Sequence, residues 1–136
     1  MEIAAAIDFI RSNHRGVLAT LRRDGNPQLT PITVSVDAAG MVVVSSRETA
    51  AKVKNLRRDP RAWLTVMNDG FFGEFVQIEG PVTIVALPEA MDGLIEYYRS
   101  VSGEHPDWDD YREAMTRDQR VLIKVQVTRA GPTYIG

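Results

Sequence analysis

Residues 16–46, GVLATLRRDGNPQLTPITVSVDAAGMVVVSS, decide the fold. Val17 to Leu21 is a run of β-forming residues. Asp24-Gly25 follows it, the pair that enters a tight hairpin turn most easily. Pro27 to Val36 then returns with apolar residues at Leu29, Ile32, Val34 and Val36. Their phase shifts near Pro31. A proline cannot donate to a strand ladder, so the shift predicts a bulge or an edge. Ala39-Gly40 turns the chain again, and Met41 to Ser45 is a third strand. Strands joined by such short turns pair antiparallel.

The pattern continues on both sides. Residues 2–13 carry Ile3, Ala6, Ile7 and Ile10 at helical spacing, one apolar stripe. After the third strand, Ser45 and Glu48 have the spacing of a capping box, predicting a helix that runs to about Arg58 and stops before Pro60. Ala62 to Met67 is a fourth strand. Asn68-Asp69-Gly70 is a turn, and Phe75 to Leu87 is a long fifth strand with a bend at Gly80-Pro81. Pro88 suits the first turn of a helix reaching about Val101. Asp107 caps another through about Met115. Val121, Ile123, Val125 and Val127 alternate with Leu122, Lys124 and Gln126 in a final half-buried strand. Six strands and three or four helices predict a mainly β protein: one domain over residues 1–136, an antiparallel closed or nearly closed barrel with helices packed outside.

Composition narrows the chemistry. The 136 residues are 44% hydrophobic and 25% charged, with a net charge of −2. That is enough apolar content for a core and too little positive charge for a nucleic-acid binder. There is no cysteine, and the histidines are His14 and His105 alone. Disulfides, thiol nucleophiles and cysteine-ligated metals are excluded, and a metal site is not expected. The N-terminal stretch has neither the basic start nor the unbroken apolar run of a signal peptide, and no segment has the length of a membrane span. The chain reads as cytoplasmic. A borrowed cofactor would have to carry any chemistry.

Charge is unevenly distributed. Residues 47–61 hold six basic residues against two acids, a local +4, whereas residues 89–118 hold nine acids against three arginines, a local −6. A basic helix is often only a solvated face. Here Ser45 and Ser46 precede its expected start, where free amides and the macrodipole favour an anion. Lys52 lies at the rim of the face made by Thr49, Val53 and Leu56. Gln28, Thr30 and Thr33 are polar groups on an otherwise apolar strand; they either hydrogen-bond a ring or are the exposed positions of a half-buried strand. Phe71 and Phe72 either meet a ring or a partner, or fold back on their own core. Trp108 and Tyr111 read as packing or dimer residues, and neither histidine belongs to a catalytic set.

The stretch GVLATLRRDGNPQLTPITVSVD, then MVVVSS, then AAKVKNLRRDPRAWLTV, then VQIEGPVTI, with GEHPDWDDYREAM and DQRVLIKV following, resembles the pyridoxamine 5′-phosphate oxidase-like split-barrel family. Within it the chain is similar to the actinobacterial branch that binds the deazaflavin coenzyme F420. Lys52 to Pro60, Lys-x-x-Asn-Leu-Arg-Arg-Asp-Pro, is the most specific piece. The resemblance implies a six-stranded antiparallel split β-barrel that works as a homodimer, with the cofactor in a groove between subunits. It implies that Ser45, Ser46 and Lys52 hold the cofactor phosphate, with Asn55 in support. Gln28, Thr30, Pro31 and Ile32 would run along the tricyclic ring. Lys54, Arg57 and Arg61 would meet the acidic tail, and Phe72 would cover the ring. Relatives often carry a basic residue two before the lysine, where this chain has Ala50; either one phosphate contact is lost, or Arg47 or Thr49 substitutes. The implied activity is hydride transfer between reduced deazaflavin and a small unsaturated or quinone-like acceptor. An FMN-dependent oxidase or reductase and a non-catalytic flavin binder are the alternatives. No general acid is nominated.

Overall fold

The computed structural model describes residues 1–135. Eight strands, β1 (Arg15–Leu21), β2 (Pro27–Thr33), β3 (Ser35–Val36), β4 (Val42–Arg47), β5 (Arg61–Met67), β6 (Glu74–Val85), β7 (Arg120–Val125) and β8 (Arg129–Ile135), combine with four helices, α1 (Ile3–Ser12), α2 (Ala51–Arg58), α3 (Met91–Ser102) and α4 (Trp108–Arg117). The sheet runs β2-β1-β5-β6-β7-β4-β3, with β8 added to β6. Every pairing is antiparallel.

Strand β6 makes the curl. Its first part pairs with β5 as far as Arg61↔Pro81, and its last part pairs with β7 from Val82↔Val125 onward. The expected bend at Gly80-Pro81 therefore marks where β6 passes from one partner to the other. Gly80 is required there, because a Cβ would collide with the Gln126 carbonyl oxygen. The result is a curled antiparallel split barrel with helices around it.

Two buried clusters hold the layers. The barrel interior takes Leu18, Val44, Leu64, Ile78 and Ile123 from the sheet, Ala6 and Ile10 from α1, and Val53 and Leu56 from α2. Each fully buried Leu, Ile or Val contributes about 1.5–3 kcal/mol. The second cluster lies on the other face of β4 and β7, where Val43 and Leu122 meet Leu94 and Ile95 of α3 and Tyr111 of α4.

Several expectations are corrected. The six expected strands become eight: the expected 27–36 strand divides at Val34, whose amide donates to the His14 carbonyl (2.9 Å), and β8 is additional. The phase shift at Pro31 marks the end strand of the sheet, as expected of an edge. The Ser45–Glu48 capping box does not form. Strand β4 continues to Arg47, α2 begins at Ala51, and its N-cap is Ala50 without a side-chain cap. Pairing of Ser45 and Ser46 with Leu122 and Val121 on β7 outweighs the local helix signal. Thr49 lies outside α2 and is exposed, and Ile3 is exposed at the end of its stripe. Helix α3 starts at Met91, later than Pro88 suggested. Asp107 does cap α4: its side chain accepts from the Asp110 amide at 3.1 Å.

Candidate cofactor groove

Alternation along β4 decides which serine meets the solvent side. Val42, Val44 and Ser46 point into the barrel, and Val43 and Ser45 point toward α3 and α4. Ser46 is almost fully buried, and its hydroxyl is 3.3 Å from the Arg47 carbonyl. Ser45 lines a groove of about 450 Å³ together with Pro31, Ile32 and Thr33 of β2, Lys52 of α2, Tyr97 and Tyr98 of α3, Tyr111 and Met115 of α4, and Arg120 of β7. The volume is within the range of small-molecule sites.

Two cations line the groove. Val53 and Leu56 anchor α2 in the barrel, which leaves Lys52 half-buried at its rim. Burial, and then the positive charge of Arg120, hold the Lys52 ammonium below its ordinary value of 10.5. The Arg120 Nε is buried without a hydrogen-bond partner; Asp118 Oδ2 lies 3.9 Å from it.

Three tyrosines line the groove as well. The Tyr97 hydroxyl donates to the Thr33 carbonyl and the Tyr111 hydroxyl to the Leu94 carbonyl, each at 2.8 Å. Burial raises Tyr97, against a backbone hydrogen bond from Ser45 and the charge of Arg120. Burial pushes Tyr111 up to about 12, with Tyr97 and Tyr98 adding to the rise and Arg120 opposing it. Both phenols are neutral at pH 7, and each commits its proton to a carbonyl. They offer ring faces and lone pairs rather than an acid.

The ten expected site residues divide. Pro31, Ile32, Ser45 and Lys52 come together in the groove. Gln28 and Thr30 are half-buried on the same side of β2 as Ile32, further along the strand. Asn55 is buried in a network: its Nδ2 donates to Thr20 Oγ1 (3.1 Å) and Gln28 Oε1 (3.2 Å), and its Oδ1 accepts from Arg58 (3.0 Å). Ser46 faces the barrel core. Arg57 is exposed and paired with Glu48 at 2.7 Å. Phe72 is 76% exposed and stacks edge-on with Phe71, away from this groove. Of the weaker candidates, Lys54 is exposed, and Arg61 bonds Asp59 and lies 5.7 Å over Trp63.

Arg120, Tyr97, Tyr98 and Met115 were missed, and Tyr111, read only as a packing or dimer residue, also lines the groove. Their place depends on the register of β4 with β7 and on how α3 and α4 dock, and no local spacing reveals either. The histidines are structural: His14 Nδ1 meets the Val34 carbonyl at 2.8 Å, and His105 Nδ1 accepts from the Asp107 amide at 2.9 Å. Among the described residues no cluster has the makings of a metal site, and no helix is long and apolar enough to cross a membrane.

The sequence model of the pyridoxamine 5′-phosphate oxidase family matches residues 3–134. The chain belongs to that family. Its members typically bind a flavin. Similar solved structures include the conserved hypothetical protein Rv2991 of Mycobacterium tuberculosis, at 28% identity and a TM-score of 0.78, covering 96% of this chain and 82% of that one. An F420 reductase is similar at 21% identity and a TM-score of 0.68, covering 91% and 94%. The heme storage protein HutZ of Vibrio cholerae is similar at 14% identity and a TM-score of 0.71, covering 99% and 95%. At the latter two identities the likeness concerns the fold. The groove fits a phosphate-bearing ring cofactor of the family's kind: the positive charges of Lys52 and Arg120 favour an anion, and Ile32, Met115 and the tyrosines favour an apolar planar group.

Proposed function

We propose that the protein is an oxidoreductase that binds deazaflavin coenzyme F420 in this groove and moves a hydride between it and a small unsaturated or quinone-like acceptor. The observation that carries the reading is the convergence of Lys52, Ser45 and the β2 segment Pro31–Thr33 on one groove beside an aromatic wall. When bound, the cofactor supplies the hydride chemistry, and the protein supplies placement and electrostatics. Lys52 and Ser45 hold the phosphate. Ile32 and the tyrosines shape the space for the ring. The hydroxyls of Tyr97 and Tyr111 donate to backbone carbonyls, so the proton that accompanies reduction is assigned to solvent.

We also propose that the working form is a homodimer whose second chain completes the groove. Pro31 and Thr33 line the groove and also lie on the outward face of β2. That face continues across Val17 of β1 to Thr65 of β5 in register. Leu29, on the same face, is 66% exposed.

Titration of the purified protein with coenzyme F420 and with FMN, followed by fluorescence, tests the cofactor. Saturable binding of coenzyme F420, weakened about tenfold or more by Lys52→Ala, is expected from loss of a charge-assisted contact. Preference for FMN moves the assignment to a flavin-dependent oxidase or reductase, and binding of neither overturns it. Oxidation of the bound reduced cofactor by a quinone, followed as an absorbance change, separates an enzyme from a carrier.

A further inference from the structure

We infer that Arg120 is the second cation of the phosphate subsite, acting with Lys52 on the phosphoryl group of the bound cofactor. The inference rests on the cofactor reading above.

Four observations converge on it. First, Arg120 and Lys52 line the same groove, and the ammonium of Lys52 responds to the charge of Arg120. Two cations held near each other in a half-buried site repel, and an anion between them relieves that repulsion. Second, the Arg120 Nε is buried without a hydrogen-bond partner. A buried donor left unmade is costly, so the guanidinium gains from a shift that brings it to a phosphoryl oxygen in the groove. Third, local neutralisation is incomplete. Asp118 is the carboxylate within 4 Å of Arg47 (3.7 Å), Arg117 (3.9 Å) and Arg120 (3.9 Å) at once. One negative charge thus serves three guanidiniums before Lys52 is counted. Fourth, the register places Arg47 directly opposite Arg120 on β4 and β7. Like charges facing across a ladder destabilise the pair, so a structure that keeps both gains from a bound anion.

Thr49 is exposed outside α2, and Arg47 is 59% exposed and does not line the groove. Arg120, 29% exposed, does. Its planar fork favours bidentate contact with phosphoryl oxygens, which Lys52 as a point charge does not supply.

The test compares ligands with and without the phosphate: FMN against riboflavin, which isolates the phosphate, and coenzyme F420 against its ribityl-deazaflavin core, which lacks the phosphate and the acidic tail together. Each is titrated against wild type, Arg120→Ala and Arg120→Gln. Either variant is expected to lower affinity for the phosphate-bearing member by about 10- to 100-fold and to leave the phosphate-free member within about twofold. Arg120→Lys recovers part of the loss. Inorganic phosphate competes with the phosphate-bearing member on wild type and does so more weakly on Arg120→Gln. The near-isosteric Gln and Lys variants, checked by circular dichroism, carry the test if Arg120→Ala fails to fold. Equal weakening of both members of a pair, or of neither, overturns the inference while leaving the cofactor reading standing. If wild type binds none of the four ligands, the cofactor reading falls and the inference with it.

Discussion

Lys52 is held in a state that favours losing its proton. Burial disfavours the ammonium first, and the charge of Arg120 adds to it, so its folded value lies below 10.5. The sign of the consequence follows from proton counts. Between the lowered folded value and 10.5 the unfolded chain binds more protons than the folded one, so this group's contribution to stability rises with pH across that window. A phosphoryl ligand reverses the preference by favouring the charged lysine. We therefore expect affinity for a phosphate-bearing cofactor to fall as pH rises through the folded value, beginning below 10.5. Affinity for the phosphate-free analogue stays flat. Fluorescence titrations from pH 7 to 10.5 measure both, and Lys52→Arg, which keeps its charge throughout, abolishes the decline. Parallel pH profiles for the two ligands would separate Lys52 from the phosphate.

Element-scale order at the site depends on Asn55. Its amide joins α2 to β1 through Thr20 and to β2 through Gln28, and its carbonyl accepts from Arg58 within α2. A phosphate ligand would compete with these partners, so we read Asn55 as the residue that fixes the angle at which α2 presents Lys52. Asn55→Ala leaves the buried Thr20 hydroxyl short of a donor. The expected loss is about 1–3 kcal/mol of stability, read from the urea midpoint, together with a fall in affinity for FMN that riboflavin does not share, because Lys52 is the group it positions. A selective loss of FMN with the urea midpoint unchanged would return Asn55 to direct phosphate contact. The same elements divide what the sequence makes legible from what it does not. The apolar side of α2 is legible because Val53 and Leu56 obey helical spacing, and that spacing placed Lys52 at the rim. The Asp107 cap is legible because its bond to Asp110 is local. The Ser45–Glu48 signal misleads because a ladder with β7, remote in sequence, extends β4 past it. Arg129 to Ile135 contains Gly131 and Pro132 and lacks clean alternation, so β8 emerges only from its pairing with β6. Arg120 is hidden for the same reason: its relation to Lys52 is created by tertiary register.

At the scale of the whole molecule, the outward positions of β2, β1 and β5 stay exposed or half-buried, unlike those of β4 and β7 under α3 and α4. Rows across β2, β1 and β5 read Leu29↔Ala19↔Trp63 and Pro31↔Val17↔Thr65. Leu29, Val17 and Trp63 belong to neither buried cluster. Isolated exposed apolar residues are ordinary, but successive rows on one face, ending at the groove rim, make a surface that a second copy would cover. The small size of the chain agrees with a site shared between two subunits. Light scattering of the wild type at micromolar concentration should give twice the 15.1 kDa chain mass. Leu29→Glu places a charge at the centre of the proposed contact without touching the core, so the variant should keep its circular dichroism spectrum and shift to 15.1 kDa. Cofactor affinity should fall with it, because Pro31 and Thr33 would border open solvent instead of a neighbour. A wild-type mass of one chain would remove the dimer. A Leu29→Glu protein that remains dimeric and binds normally would move the interface to another face.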